Sequence, residues 1–318
     1  MIKNMEIKFW GVRGSLPFSY DTLGWARHSE NVLRSFFSQG YRQEEHISQF
    51  ISQQPVTRLG GFGTATTCVE VHDGNSSLII DGGSGIKSIS DQMQFTGSNV
   101  NEYHILITHF HFDHIIGLPF FMPHFRKGCV VNYYSVQSET ESIIRGLFSK
   151  PSFPVTFESL NAEIRFHHLT PHRPRQINGF TVTPYQTDHP DTCYGYRVEK
   201  GGKSYAHAVD NEGTRLSRAH LGADGGLYEK ADLVFFDAQY EEADMGVKKG
   251  WGHGTCDRGF EICSNFGARQ ILFAHHEPSF SIDDTLKQIN RAHQAFSEKY
   301  PNSKLMWDFA YEGMKVKL

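Results

Sequence analysis

The 318-residue sequence has no apolar run near the roughly 20 residues a membrane-spanning helix requires. Cysteine is scarce, with five residues, an odd number, widely spaced and without a C-x-x-C pair. That usage fits reduced thiols in a cytoplasmic protein. The start, "MIKNMEIKFWGVRGS", lacks both a long apolar stretch and a small-residue cleavage site. It reads as a first strand rather than a signal peptide. An excess of one charge is also missing. A formal net charge of −4 argues against bulk attraction to nucleic acid or anionic membrane, though a local basic pocket for one phosphate stays open. There is no fixed-period repeat and no low-complexity tract.

What is present is core-forming material. Hydrophobic residues make up 39% and charged residues 21%, so a packed globular fold is expected. The length allows one large domain or two ordinary ones. Short apolar runs read as strands: "EIKFWGV", "TTCVEVH", "SLIID", "EYHILIT", "CVVNYYSV", "AEIRFHH", "GFTVTPYQ", "CYGYRVE", "KSYAHAV", "ADLVFFD", "RQILFA" and "SKLMWDF". Helices are expected to begin near Ser84, Asp113, Ser138, Thr214, Thr255 and Asp283. Thr255 is a candidate N-cap, with Gly267 closing that helix. In the last helix Ile282, Leu286, Ile289, His293 and Phe296 recur at spacings of three and four. They predict one buried stripe, with His293 a packing residue. Residues 18–57 stand apart as two short amphipathic helices, "HSENVLRSFFSQ" and "QEEHISQFISQQ". They read as an insertion into a strand-rich region: a lid, a homodimer contact or a plain surface decoration.

Histidine is the outlier, at 18 residues. "THFHFDHIIG" packs His109, His111, Asp113 and His114 into six positions directly after an apolar strand. Residues two apart on a continuing strand share a face, so His109 and His111 can bind one ion. Asp113 and His114 sit on the following turn and can point to a second. Neutral imidazole suits zinc and its first-row neighbours, and a carboxylate adds compensating charge. The competing reading, a polar loop rich in histidine by accident, gives no packing reason for such density. Further donors follow other strands: His189 in "PYQTDHP", Asp210 in "AHAVDNE", and His275 and His276 in "ILFAHHEP".

The complete H-x-H-x-D-H signature, with "LIIDGGSG" before it and "DH", "VDN" and "FAHH" after it in that order, resembles the metallo-β-lactamase superfamily. The resemblance runs from "FWGVRGS" to "AYEGMKVKL", leaving out residues 18–57. It implies an α/β (α+β) fold, a four-layer αββα sandwich, as a single domain over 1–318 with the helical insertion at 18–57. It also implies two divalent metal ions, zinc first, with manganese or iron as alternatives. His109, His111 and His189 would hold the first ion; Asp113, His114 and His275 the second; Asp210 would bridge them. Asp81 would orient the metal loop from behind. His276 is the alternative to His275 and would otherwise line the pocket.

The later segment "LVFFDAQYEEADMGVKKGWGHGTCDRGF" resembles the branch holding phosphodiesterases and tRNA 3′-processing ribonucleases. There the resemblance implies His253 as proton donor to the leaving oxygen and Asp237 as its positioner, with a metal-bridging hydroxide attacking phosphorus. The expected substrate is a cyclic nucleotide, a small phosphodiester or an RNA end. The sequence departs from the family in "GHGT", where serine more often follows the histidine. No Gly/Pro-rich basic arm for a tRNA elbow is found, so extended nucleic-acid binding is not expected. The rival is a lactonase- or thioesterase-type hydrolase on the same ligands. A redox diiron protein fits less well, since those members typically carry glutamate at the position of His111. A non-catalytic binding module leaves the full ligand set unexplained.

Other candidates carry less. In "RFHHLTPHRPR", Arg173 and Arg175 offer contacts to a substrate phosphate or form a solvated basic turn. "GGFGTATTC" lacks the lysine of a phosphate-cradling loop and reads as a turn near the active-site edge. Cys256 follows the His253 segment without an evident base partner, which argues against a thiol nucleophile.

Overall fold

The computed structural model describes residues 5–96 and 100–318. One seven-stranded sheet contains β1 (Glu6–Gly11), β2 (Cys68–His72), β3 (Ser77–Ile80), β4 (Glu102–Leu106), β5 (Val130–Ser135) and β6 (Glu163–His168), with β14 (Lys315–Lys317) at its other edge. The second holds β7 (Arg175–Ile177), β8 (Phe180–Gln186), β9 (Tyr194–Lys200), β10 (Lys203–Ala208), β11 (Leu233–Asp237), β12 (Gln270–Ala274) and β13 (Met306–Phe309). Each sheet is parallel at one side, β3 to β6 in the first and β10 to β13 in the second, and antiparallel elsewhere.

The strand periodicity explains the layers. In β11, Leu233 and Phe235 enter the core between the sheets, while Val234 and Phe236 face the helices. In β12, Leu272 and Ala274 point inward and Ile271 and Phe273 outward. Both faces are buried, so these central strands read as unbroken apolar runs. Helices Cys256–Phe266 and Ile282–Lys299 cover the second sheet, and Ile86–Thr96 and Thr140–Leu147 cover the first. The order helix, sheet, sheet, helix is the αββα sandwich expected above.

All the expected strands form. The two short edge strands, β7 and β14, were not anticipated because "RQI" and "KVK" show no apolar run. Thr255 caps its helix through Arg258 N at 3.4 Å, and Gly267 closes it in the left-handed conformation. The last helix corrects one expectation. Its most buried residues are Ile282, Thr285, Gln288 and Ala292. His293 is exposed and only lays its ring on Trp307, with centroids 4.2 Å apart. Within 18–57, helices Thr22–Ser38 and Ile47–Gln53 form, the first beginning six residues before "HSENV" at its Asp21 cap. Phe36, Tyr41 and Phe50 pack together between them, with ring centroids 5.2–5.7 Å apart.

Candidate metal centre

The proposed site residues lie at one edge of the sandwich, just beyond the carboxyl ends of β3, β4, β8, β10, β11 and β12. This is the end of a parallel sheet at which ligands ordinarily bind. One donor atom from each of His109, His111, His189 and Asp210 lies within 4.8 Å of the others, and the same holds for Asp113, His114 and His275. Asp210 faces both groups. Its Oδ1 is 2.8 Å from Nε2 of both His114 and His275, and its Oδ2 is 3.4 Å from His109 Nε2 and 3.6 Å from His189 Nε2.

The groups fit divalent cations. Nε2 of His109 and His189 and Oδ2 of Asp210 are buried without hydrogen-bond partners, and Oδ1 of Asp210 has only its ion-pair contacts with His114 and His275. Each unpartnered group would carry a desolvation cost of about 1–3 kcal/mol. Cations between them satisfy all at once, and imidazole with carboxylate is a zinc-type donor set. The clustering of these donor types fits divalent metals.

The ring tautomers are set from behind. Asp81 accepts from Thr108 N at 2.9 Å and lies 2.8 Å from His114 Nδ1, so His114 presents Nε2 to the site. Gln239 Oε1 does the same for His275, at 2.8 Å from Nδ1. Sequence reasoning missed Gln239. The signal was its place two residues after Asp237, on the same face if the strand continues. Gly14 makes room for this pair, since a Cβ there would lie 2.3 Å from His275 Nδ1 and 2.6 Å from Gln239 Oε1. Ser15 N donates to Asp113 Oδ2 at 2.9 Å.

Charge follows the same division. Burial disfavours a proton on His114 and His275, but neighbouring carboxylates, Asp210 first, outweigh it and raise both pKa values. Burial holds His109 and His189 below the usual value. Asp113 and Asp210 are pushed well below the carboxylate range, their burial penalty overcome chiefly by His114. The backbone is strained here. Ser15, Asp81, Asp210 and His275 all have positive φ, of 54°, 62°, 55° and 58°. Non-glycine residues rarely adopt this conformation, and it concentrates at functional sites.

His253 is brought to the same place. Its Nδ1 is 2.9 Å from Asp237 Oδ2, and its ring stacks on His275 with centroids 4.8 Å apart. Asp237 also accepts from Gly254 N at 3.2 Å. The buried carboxylate of Glu212, which sequence reasoning also missed, accepts from Gly250 N at 2.7 Å. Glu212 thus ties the His253 loop to the segment carrying Asp210. Gly252 packs directly on the metal cluster: a Cβ there would lie 2.4 Å from the His189 ring.

His276 turns elsewhere, a correction to its expected place in the pocket. Its Nε2 is 2.7 Å from Ala310 O, and its ring stacks on Phe309. The alternation of a strand end sends adjacent residues opposite ways. Arg175 is engaged away from these groups, donating to His168 O at 3.0 Å. Burial raises the Cys256 thiol well above its usual pKa, as expected for a non-nucleophile.

No helix among the described residues is long and apolar enough to cross a membrane. The chain is 30% identical to a ribonuclease Z of Staphylococcus carnosus, over 72% of this chain and 86% of that protein. Among solved structures, the metallo-β-lactamase fold protein YhfI from Bacillus subtilis matches with a TM-score of 0.62 at 17% identity, covering 99% of this chain and 100% of that one. The short form of human tRNase Z matches with a TM-score of 0.57 at 15% identity, covering 98% of each. These likenesses carry the fold. A family described as the β-lactamase superfamily domain matches residues 89–276, the stretch that supplies His109 to His275, and with the strand-end cluster and the ribonuclease Z relative this shows that the chain belongs to the β-lactamase superfamily.

Proposed function

We propose that this protein is a metal-dependent phosphodiesterase. The observation that carries the reading is the buried Asp237–His253 pair, stacked beside a cluster of unpaired metal-type donors. His109, His111 and His189 would hold one ion and Asp113, His114 and His275 the other, with Asp210 shared. Zinc suits this set, being bound readily by imidazole with a carboxylate. When bound, divalent ions supply Lewis acidity toward phosphoryl oxygens and lower the pKa of a water.

The chain's own residues do the rest. His253 donates its Nδ1–H to Asp237 Oδ2, which fixes the orientation of the ring. Nε2 is then the nitrogen that delivers a proton to the departing oxygen. Asp81 and Gln239 keep His114 and His275 in one tautomer, so neither ring competes for that proton. The ribonuclease Z relative supports a phosphodiester substrate, including an RNA end. A lactonase or thioesterase would leave the Asp237–His253 pair without a task. We also read the chain as one domain with 18–57 inserted, in a reducing cytoplasm that suits its five free, buried thiols.

The test is His253→Ala in the metal-loaded protein, assayed on a dinucleotide, whose alkoxide leaving group needs the proton that a nitrophenolate does not. Removing a general acid should lower kcat by about 10²–10⁴-fold. Metal content should stay at the wild-type level. Unchanged turnover would remove His253 from the mechanism.

A further inference from the structure

The metal cluster is closed on all sides but one. The His109, Asp113, His114, His189, Asp210 and His275 side chains are at most 6% exposed, whereas that of His111 is 42% exposed. Substrate must therefore arrive at the His111 face. Two large aromatic residues lie next to site residues in the chain. Phe112, between His111 and Asp113, is 74% exposed. Trp251 is 60% exposed and precedes Gly252, the residue jammed against the His189 ring. Tyr240 links Trp251 to the proton donor, its ring centroid 6.5 Å from Trp251 and 5.5 Å from His253.

Flat rings left in water beside a polar centre need an explanation. An aromatic side chain gains most by burial, and Phe112 and Trp251 do not take it. A phosphodiester carries an organic group on each side of phosphorus. With phosphate at the cluster, those groups would extend past His111 and His253, the residues beside which Phe112 and Trp251 lie. A net charge of −4 offers little bulk attraction to a long phosphate backbone. Recognition then falls to the base, whose π-face stacks on an aromatic ring regardless of sequence.

We infer that Phe112 and Trp251 are stacking platforms for a nucleobase next to the scissile phosphate. This rests on the phosphodiesterase reading above. It separates base-bearing diesters from aliphatic ones, which the metal cluster alone cannot tell apart.

The experiment compares kcat/KM for two thymidine esters, the 5′- and 3′-(4-nitrophenyl) phosphates, with methyl 4-nitrophenyl phosphate. All release the same chromophore. The metal-loaded wild type should favour at least one thymidine ester. Trp251→Ala should shrink that preference by about tenfold, mainly through KM, and Phe112→Ala by less. Trp251→Phe should restore most of it, which a general loss of folding would not do. A preference that survives both alanine variants overturns the inference. So does a dimer-to-monomer change in either variant with the preference intact, which would mark the rings as a self-contact. A wild type that cleaves the methyl ester without favouring thymidine refutes stacking while sparing the phosphodiesterase. A wild type that cleaves none of these esters refutes the underlying reading.

Discussion

The two donor groups share Asp210 but are built differently. In the group of Asp113, His114 and His275, both imidazoles are fully buried, and each Nδ1 is fixed by a protein acceptor, Asp81 or Gln239. In the group of His109, His111 and His189, His111 is half-exposed and its Nε2 lies 2.8 Å from the exposed carboxylate of Asp191. His189 Nδ1 also meets Asp191, at its backbone, 3.2 Å away. One group is set by the core of the sandwich. The other leans on an exposed turn. The difference is one of rigidity and access, since the second group alone has a half-exposed donor.

Breaking the shared residue should have the largest effect. Asp210→Ala removes the carboxylate that faces both groups. Metal content measured by plasma mass spectrometry should fall below one ion per chain, with turnover lost; full occupancy would contradict the shared role.

A paired comparison of residues behind the ligands comes next. Gln239→Ala frees His275 to flip, and outer partners of this kind typically contribute about 10–100-fold in metal affinity or activity. Asp191→Ala touches only the open group and should cost severalfold at most, because a solvent-exposed carboxylate contributes little. Competition with a chelating dye would rank the two, and equal losses would erase the distinction between the groups.

The smallest effect is a proton count. In the metal-free protein, carboxylates dominated by Asp210 raise the pKa values of His114 and His275, so both rings carry protons at neutral pH. His109 and His189, held low by burial, are already neutral. Loading metal should therefore expel about two protons per chain at pH 7, and fewer as pH rises through the raised values. Calorimetry in buffers of different ionisation enthalpy measures this, and no release would show His114 and His275 neutral beforehand.

Much of this was legible in the sequence, for a physical reason. Strands buried on both faces announce themselves as apolar runs, and the donors sit one to eight residues past the ends of such strands. The pairing of His253 with Asp237 was legible from motif resemblance. What was hidden acts across the chain. Gln239 reaches Ser15 and Glu277, and Glu212 reaches the amides of Gly250 and Gly252. No local spacing encodes such contacts. His275 is preferred to His276 as the first residue past the strand, and the structure turns the two opposite ways. On the last helix Ile282 is buried and Leu286, Ile289 and Phe296 pack partly buried against the core as expected, while Thr285, Gln288 and Ala292 lie deepest and His293 is exposed.

The left-handed backbone at Asp81, Asp210 and His275 limits how these positions can be altered. Asparagine, aspartate, histidine and glycine tolerate that conformation, while β-branched and bulky residues do not. Glycine would relieve strain, and a stability screen blind to chemistry would choose it, at the expense of a ligand or its orienter. Stabilisation and activity thus pull against each other at the same few residues. For anyone probing the site, Asp→Asn is the informative exchange at 81 and 210, because it removes charge while leaving the shape of the turn in place.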